Sequence, residues 1–140
     1  MKKLLFLIFF PILSFGQYTL IPDATFEQRL INFGYDTIHD GKVLTANIIN
    51  VDSLDLSSQL WGAGGNISDL TGIEGFTNLI YLDCSVNPLT SLDVSQNIHL
   101  NYLDCSGINF FGPTGQMINL NVSQNSCLLY TSPSPRDIGE

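Results

Sequence analysis

Leu82-Asp83-Cys84-Ser85 recurs as Leu103-Asp104-Cys105-Ser106, 21 residues later. Leu54-Asp55-Leu56-Ser57 precedes Leu82 by 28 residues, and Leu92-Asp93-Val94-Ser95-Gln96-Asn97 returns 28 residues on as Leu120-Asn121-Val122-Ser123-Gln124-Asn125. The base period is therefore 21, with about seven extra residues on two of the turns. A period of this size constrains the chain more than any other feature. Each unit is too small to bury its own apolar face, so successive units must stack and share one interior.

The stretch Leu79-Ile80-Tyr81-Leu82-Asp83-Cys84-Ser85-Val86-Asn87-Pro88-Leu89 fits the leucine-rich-repeat pattern L-x-x-L-x-L-x-x-N-x-L, with Cys in the third Leu slot. The expected fold is an α/β solenoid of 21-residue coils, each with one short parallel strand and a return path. Asn87, Asn97 and Asn125 fall at the turns, where a buried amide can satisfy backbone groups left unpaired by the bend. Ile67, Leu70, Ile73, Phe76, Leu79 and Leu82 recur every three residues, a spacing suited to a tight helical return. Cys84 and Cys105 take equivalent inward positions on neighbouring strands. They are expected as small buried hydrophobes; a disulfide between them is the alternative and demands specific geometry.

The repeats occupy 51–126, about three coils. Ahead of them, 17–50 is expected to form an N-terminal helical cap. Asp23 is its N-cap, Phe26, Leu30 and Phe33 form one apolar face, and Gly34 ends the helix. A short helical turn over Thr45 to Asn50 and a first strand near Ser53 to Leu56 follow. Residues 1–16 carry Lys2 and Lys3, then an apolar run from Leu4 to Phe15, then small residues at Ser14 and Gly16. A bilayer span needs about 20 apolar residues, so this is expected to be a secretory signal peptide cleaved before Gln17. At the other end, Cys127 to Asp137 matches one reading frame of the adaptor used in transposase-based sequencing libraries. Residues 127–140 are therefore expected to be an adaptor-derived, disordered artefact, with the natural chain truncated at Ser126. Three coils with one cap are expected to be only marginally stable.

Charge excludes some partners. The sequence has 13 acidic and 5 basic side chains, a formal charge of −8. Between 17 and 126 only Arg29 and Lys42 are basic. Nucleic-acid binding needs a clustered Lys/Arg footprint, and an anionic membrane surface needs the same. Neither partner is expected, nor is membrane insertion once the signal is removed.

No catalytic constellation emerges. His39 lies in a polar turn and His99 on a return segment, and there is no G-x-S-x-G or H-E-x-x-H motif. Gly62-Ala63-Gly64-Gly65 lacks the Lys of a P-loop. Asp36-Thr37-Ile38-His39-Asp40-Gly41 has carboxylates in the first and fifth slots of a calcium loop and Gly in the sixth. Ile38 and Asn47 stand where oxygen ligands belong, which argues for an Asp/Gly turn instead. No catalytic residue, metal or cofactor is expected.

Two surface constellations remain. Outward strand positions carry Ser53, Tyr81 and Tyr102 in one row, and Asp55, Asp83 and Asp104 in the next. An aromatic row beside an acidic one suits a cationic peptide or a sugar; equally, each Asp could simply cap the turn that follows it. The Gly-rich inserts at Gln59 to Asn66 and Gly107 to Gln116 bring Trp61, Phe110 and Phe111 to one edge, either to recognise a ligand or to cover the coils.

The run Leu20-Ile21-Pro22-Asp23-Ala24-Thr25-Phe26-Glu27, the run Ile67-Ser68-Asp69-Leu70-Thr71-Gly72-Ile73-Glu74, and the Leu-Asp-Cys-Ser and Leu-Asp-Val-Ser coils together resemble one group. These are the secreted leucine-rich-repeat surface proteins of Bacteroidota-type bacteria that use the type IX secretion pathway. The resemblance implies a right-handed solenoid that is secreted or held at the outer cell surface, with a binding or adhesion role toward protein or glycan. A different class of function, the accessory N-terminal region of a larger secreted hydrolase, is the alternative.

Overall fold

The computed structural model describes residues 17–58, 66–106, 119–126 and 130–131. The expected signal peptide at 1–16 and the aromatic residues Trp61, Phe110 and Phe111 of the inserts lie outside the described residues.

The chain opens with a strand that the sequence did not announce. β1 (Tyr18–Leu20) pairs antiparallel with β2 (Lys42–Leu44), Thr19 opposite Val43. Between them runs α1 (Ala24–Asn32). Asp23 caps it as expected, its Oδ1 accepting from the backbone N–H of Thr25 at 2.9 Å and Phe26 at 3.0 Å. The helix ends in a Schellman motif: Tyr35 N–H donates to Leu30 O, and Gly34 N–H donates to Ile31 O. Gly34 sits at φ +82°, where a Cβ is disfavoured. Phe26 and Leu30 are fully buried, but Phe33 is the C-cap and is exposed, its ring against Tyr35. The helical phase fails there because the helix stops before Phe33 can turn inward. A four-residue helix, α2 (Thr45–Ile48), follows β2 directly.

The repeats then lay down parallel strands. β3 (Ser53–Asp55), β4 (Tyr81–Asp83) and β6 (Tyr102–Asp104) stand side by side. Leu54 pairs with Leu82 and Leu82 with Leu103, and all three are buried. Strand alternation puts these leucines inward and their neighbours outward. The three-residue spacing from Ile67 to Leu82 is buried throughout and passes through one 3₁₀ turn at Ile73–Gly75. Gly72, at φ +106°, precedes that turn, and a Cβ there would collide with the Ile21 side chain and the Leu20 carbonyl. The cap is therefore seated directly on the first coil.

Two features differ from the sequence expectation. Ser91–Asp93 and Asn119–Asn121, beyond the one strand expected per coil, form a second parallel pair, β5 and β7, with Leu92 opposite Leu120. The cause is the same L-D/N-x-S grammar that builds the first sheet. In addition, residues 127–140 were expected to lie apart from the fold, yet Tyr130–Thr131 forms β8, parallel to β6. Tyr and Thr favour extended backbone, and the unpaired edge of β6 offers a template for them.

Asparagines stitch one coil to the next. Asn87 Nδ2 donates to Leu56 O at 2.8 Å, and also to Cys84 O and Ser85 O, while its Oδ1 accepts from Ile67 N–H. Asn97 donates to Ile73 O and Phe76 O, and Asn125 donates to Val94 O and Asn97 O. Each amide thus reaches back across a coil boundary and supplies donors to otherwise orphaned carbonyls.

Candidate functional site

The outward positions of β3, β4 and β6 assemble one face. Ser53, Tyr81 and Tyr102 are register partners, as are Asp55, Asp83 and Asp104. Ser53 and Asp55 are exposed, and the other four are half-buried. The two tyrosine rings stack with centroids 4.4 Å apart and planes 6° from parallel. Neighbouring strands lie about 4.8 Å apart, so the sheet itself sets this stack. Loss of water around the rings, followed by the carboxylates Asp83, Asp55 and Asp104, raises the Tyr81 hydroxyl above its ordinary pKa. Tyr102 rises for the same first reason, then through Tyr81, Asp104 and Asp83. The phenols therefore stay protonated at neutral pH.

The aspartates are both capped and free. Asp55 Oδ1 accepts from Ser57 N–H at 3.0 Å and Ser57 Oγ at 2.6 Å; Asp104 Oδ1 accepts from Ser106 N–H at 2.9 Å and Ser106 Oγ at 2.7 Å. Asp83 Oδ1 accepts from Ser85 N–H at 2.9 Å. The same Asp-x-Ser/Thr turn recurs at Asp93-x-Ser95 and Asp69-x-Thr71, and Asn121-x-Ser123 shows that Asn can replace Asp in it. Local capping thus explains one oxygen of each carboxylate. The Oδ2 atoms of Asp55, Asp83 and Asp104 have no hydrogen-bond partner among the described residues.

Among the described residues, no cation reaches this row. Arg29 and Lys42 are the basic side chains among the described residues. Arg29 Nη2 donates to Ser57 O at 3.1 Å, holding the cap to the first coil. Lys42 Nζ lies 3.5 Å from Asp40 and over the Tyr18 ring. Three like charges at strand spacing repel one another, which leaves the face complementary to an external cation.

The second sheet carries a shallow depression of about 420 Å³ lined by Ser91, Asp93, Asn119 and Asn121. There Asp93 is satisfied on both oxygens, by Ser95 N–H and by Asn121 Nδ2 at 3.0 Å. These hydrogen bonds hold its carboxyl below the ordinary range.

Behind the first face, Cys84 is buried and Cys105 half-buried, and both are free thiols. Burial above all, then Cys105, Asp83 and Asp104, pushes the Cys84 thiol well up. Burial and then Asp104 raise Cys105. A nucleophile needs the thiolate; Cys84 lies in the core as expected, whereas Cys105, expected buried, is half-buried and packs against that core.

One polar site escaped the sequence. Glu27 on α1 is 1% exposed. Its Oε1 accepts from the N–H groups of Asp40, Gly41 and Lys42, and its Oε2 lies 2.9 Å from His39 Nδ1. Carboxylate oxygens of Glu27, Asp36 and Asp40 fall within 4.8 Å of one another. The loop that resembles a calcium loop thus folds onto a helix carboxylate through its own backbone. A Glu on an amphipathic helix gives no signal of such burial, because its partners lie 13 to 15 residues away.

These features define a chain of leucine-rich-repeat character, a statement carried by its own in-register leucines. Among the described residues no helix is long and apolar enough to cross a membrane. No protein-family model matches the chain, and no curated protein sequence matches it. Among solved structures, it is similar to the functional domain of InlJ from Listeria monocytogenes, which includes a cysteine ladder. The identity is 24%, the match covers 81% of this chain and 32% of that one, and the TM-score is 0.31. The chain therefore spans about a third of the length of that solved domain.

Proposed function

We propose that this chain is a non-catalytic binding module, secreted or held at the outer cell surface in the manner of the type IX group. In this proposal it is a right-handed leucine-rich-repeat solenoid that presents the face of β3, β4 and β6 to a protein or glycan ligand. Nucleic acid and lipid are not its partners, given its charge. Adhesion follows if that ligand lies on another surface. The observation that carries the proposal is the in-register face itself: a stacked tyrosine pair beside a file of carboxylates, each with one oxygen that has no hydrogen-bond partner among the described residues. Tyr faces and edges supply apolar area with a polar tip, and a rigid sheet holds them without an ordering cost on binding.

The test is binding of the full chain to a panel of basic peptides and neutral oligosaccharides at low and high salt. The triple variant D55N/D83N/D104N keeps the turn caps and removes the charge, and Y81S/Y102S removes the stack. The proposal expects at least one class of ligand to bind and to lose tenfold or more in affinity in one of the two variants. Binding that is the same in the parent and both variants would overturn it.

A further inference from the structure

The aromatic row on this face is incomplete by one rung. Its register partners run Ser53, Tyr81, Tyr102 and Tyr130, and Ser53 is the one position in the row that is not a tyrosine. Because the rings are nearly parallel and separated by about one strand spacing, their stacking axis runs across the strands. The second face of Tyr81 therefore looks along that axis toward the rung of Ser53. A serine side chain is too short to cover a phenol ring, and Ser53 is exposed. Among the described residues, no other ring and no cation lies against Tyr81.

The result is a slot with the Tyr81 ring as one wall and Ser53 beneath. Asp55 and Asp83, register partners, stand beside it. Each commits Oδ1 to its own turn and keeps Oδ2 available. The group that matches these walls is flat, positively charged and able to donate in two directions. A guanidinium meets all three conditions: it stacks on aromatic faces and donates to carboxylates from a rigid planar fork. An ammonium is compact and strongly hydrated and does not fill a planar slot. A neutral sugar leaves the carboxylates without a countercharge.

We propose that the slot between Tyr81 and Ser53 takes the guanidinium of an arginine in an extended segment of a partner protein. It stacks on the face of Tyr81 turned away from Tyr102, and the Oδ2 atoms of Asp55 and Asp83 hold it. The proposal rests on the binding-module function above and names the chemistry of its ligand.

The test uses the full chain and three small probes: the N-acetyl amides of arginine, lysine and citrulline. Titrations are followed by NMR at the Tyr81 ring protons, which detects the weak affinities single residues give. The arginine probe is expected to move these protons saturably with a Kd at least threefold below that of lysine, and citrulline to give no saturation. Ser53→Tyr, which completes the column, is expected to abolish the arginine response. Asp55→Asn, which preserves the turn as Asn121 does, is expected to weaken it threefold or more. The Tyr81–Tyr102 ring contact reports that each variant is folded. Should Ser53→Tyr disturb it, Ser53→Leu fills the same space without a ring and must also block arginine. Equal responses to arginine and lysine, or an arginine response indifferent to the Ser53 substitutions, would overturn the slot. In that event, charge-dependent binding of basic peptides that is lost in D55N/D83N/D104N would leave the binding-module function standing.

Discussion

Single asparagines decide how firmly the coils adhere. Asn87 is 3% exposed and makes four hydrogen bonds, three as donor and one as acceptor. Asn97 is buried too, but its Oδ1 takes no hydrogen bond among the described residues. A buried group left unpaired costs about 1–3 kcal/mol. Asn87→Ala strands several such groups, so it is expected to destabilise by about 3 kcal/mol, and Asn97→Ala by distinctly less. Urea denaturation of both variants checks the order; equal losses would mean that the amide bonds do not set the difference. Val86 offers the opposite case. It is the one non-glycine residue with positive φ, at 62°, among the described residues. A β-branched side chain is strained there, a cost on the order of 1–3 kcal/mol. The same repeat position in the next coil is Gly107. Val86→Gly is expected to raise stability by about 1 kcal/mol after the entropy of glycine is discounted, read as a higher thermal midpoint.

At the scale of elements, the cap and the first coil meet through Asp23. One oxygen starts α1, and the other accepts from Ser68 N–H, Ser68 Oγ and Asp69 N–H at 2.9 to 3.1 Å. Burial works to raise this carboxyl, but the bonds from Phe26, Ser68 and Asp69 together leave it below the ordinary value of 3.8. A depressed folded pKa means the stabilisation is fully present above pH 3.8 and is lost as pH falls through the folded value. Asp23→Asn keeps a helix-capping oxygen but turns an NH₂ toward three donors. It is expected to cost about 2 kcal/mol at neutral pH, and the gap from the parent should narrow as pH falls below 3.8 and through the lower folded value. Denaturation curves across that range test this, and a gap independent of pH would contradict it. The helix start was legible because Asp23 precedes the apolar phase of Phe26 and Leu30. The role of its second oxygen was not, because Ser68 lies 45 residues away. β1 and β2 were missed for a related reason: three-residue strands carry too little alternation to register, and their pairing partner is remote in sequence.

Across the whole molecule, what could be read was whatever repeats. Leu54, Leu82 and Leu103 recur at fixed spacing, so their alignment could be anticipated, and with it the rows of Ser53, Tyr81 and Tyr102 and of Asp55, Asp83 and Asp104. The second sheet is legible in the same way, since Leu92-Asp93-Val94-Ser95 obeys the grammar of Leu82-Asp83-Cys84-Ser85, but one strand per coil leaves no place for it. What does not repeat, such as the burial of Glu27 beneath the 40–42 backbone, depends on tertiary contacts that no local pattern encodes. Stacking is the common cause of both the core and the face. The inward leucines hold the strands in register, and that register brings the rings and carboxylates together. Methyl NOE spectroscopy of the leucine-labelled full chain tests this most directly. Contacts are expected between Leu54 and Leu82 and between Leu82 and Leu103, with none between Leu54 and Leu103, two rungs or about 9.6 Å apart. Absence of the nearest-rung contacts, or a direct contact between Leu54 and Leu103, would contradict it.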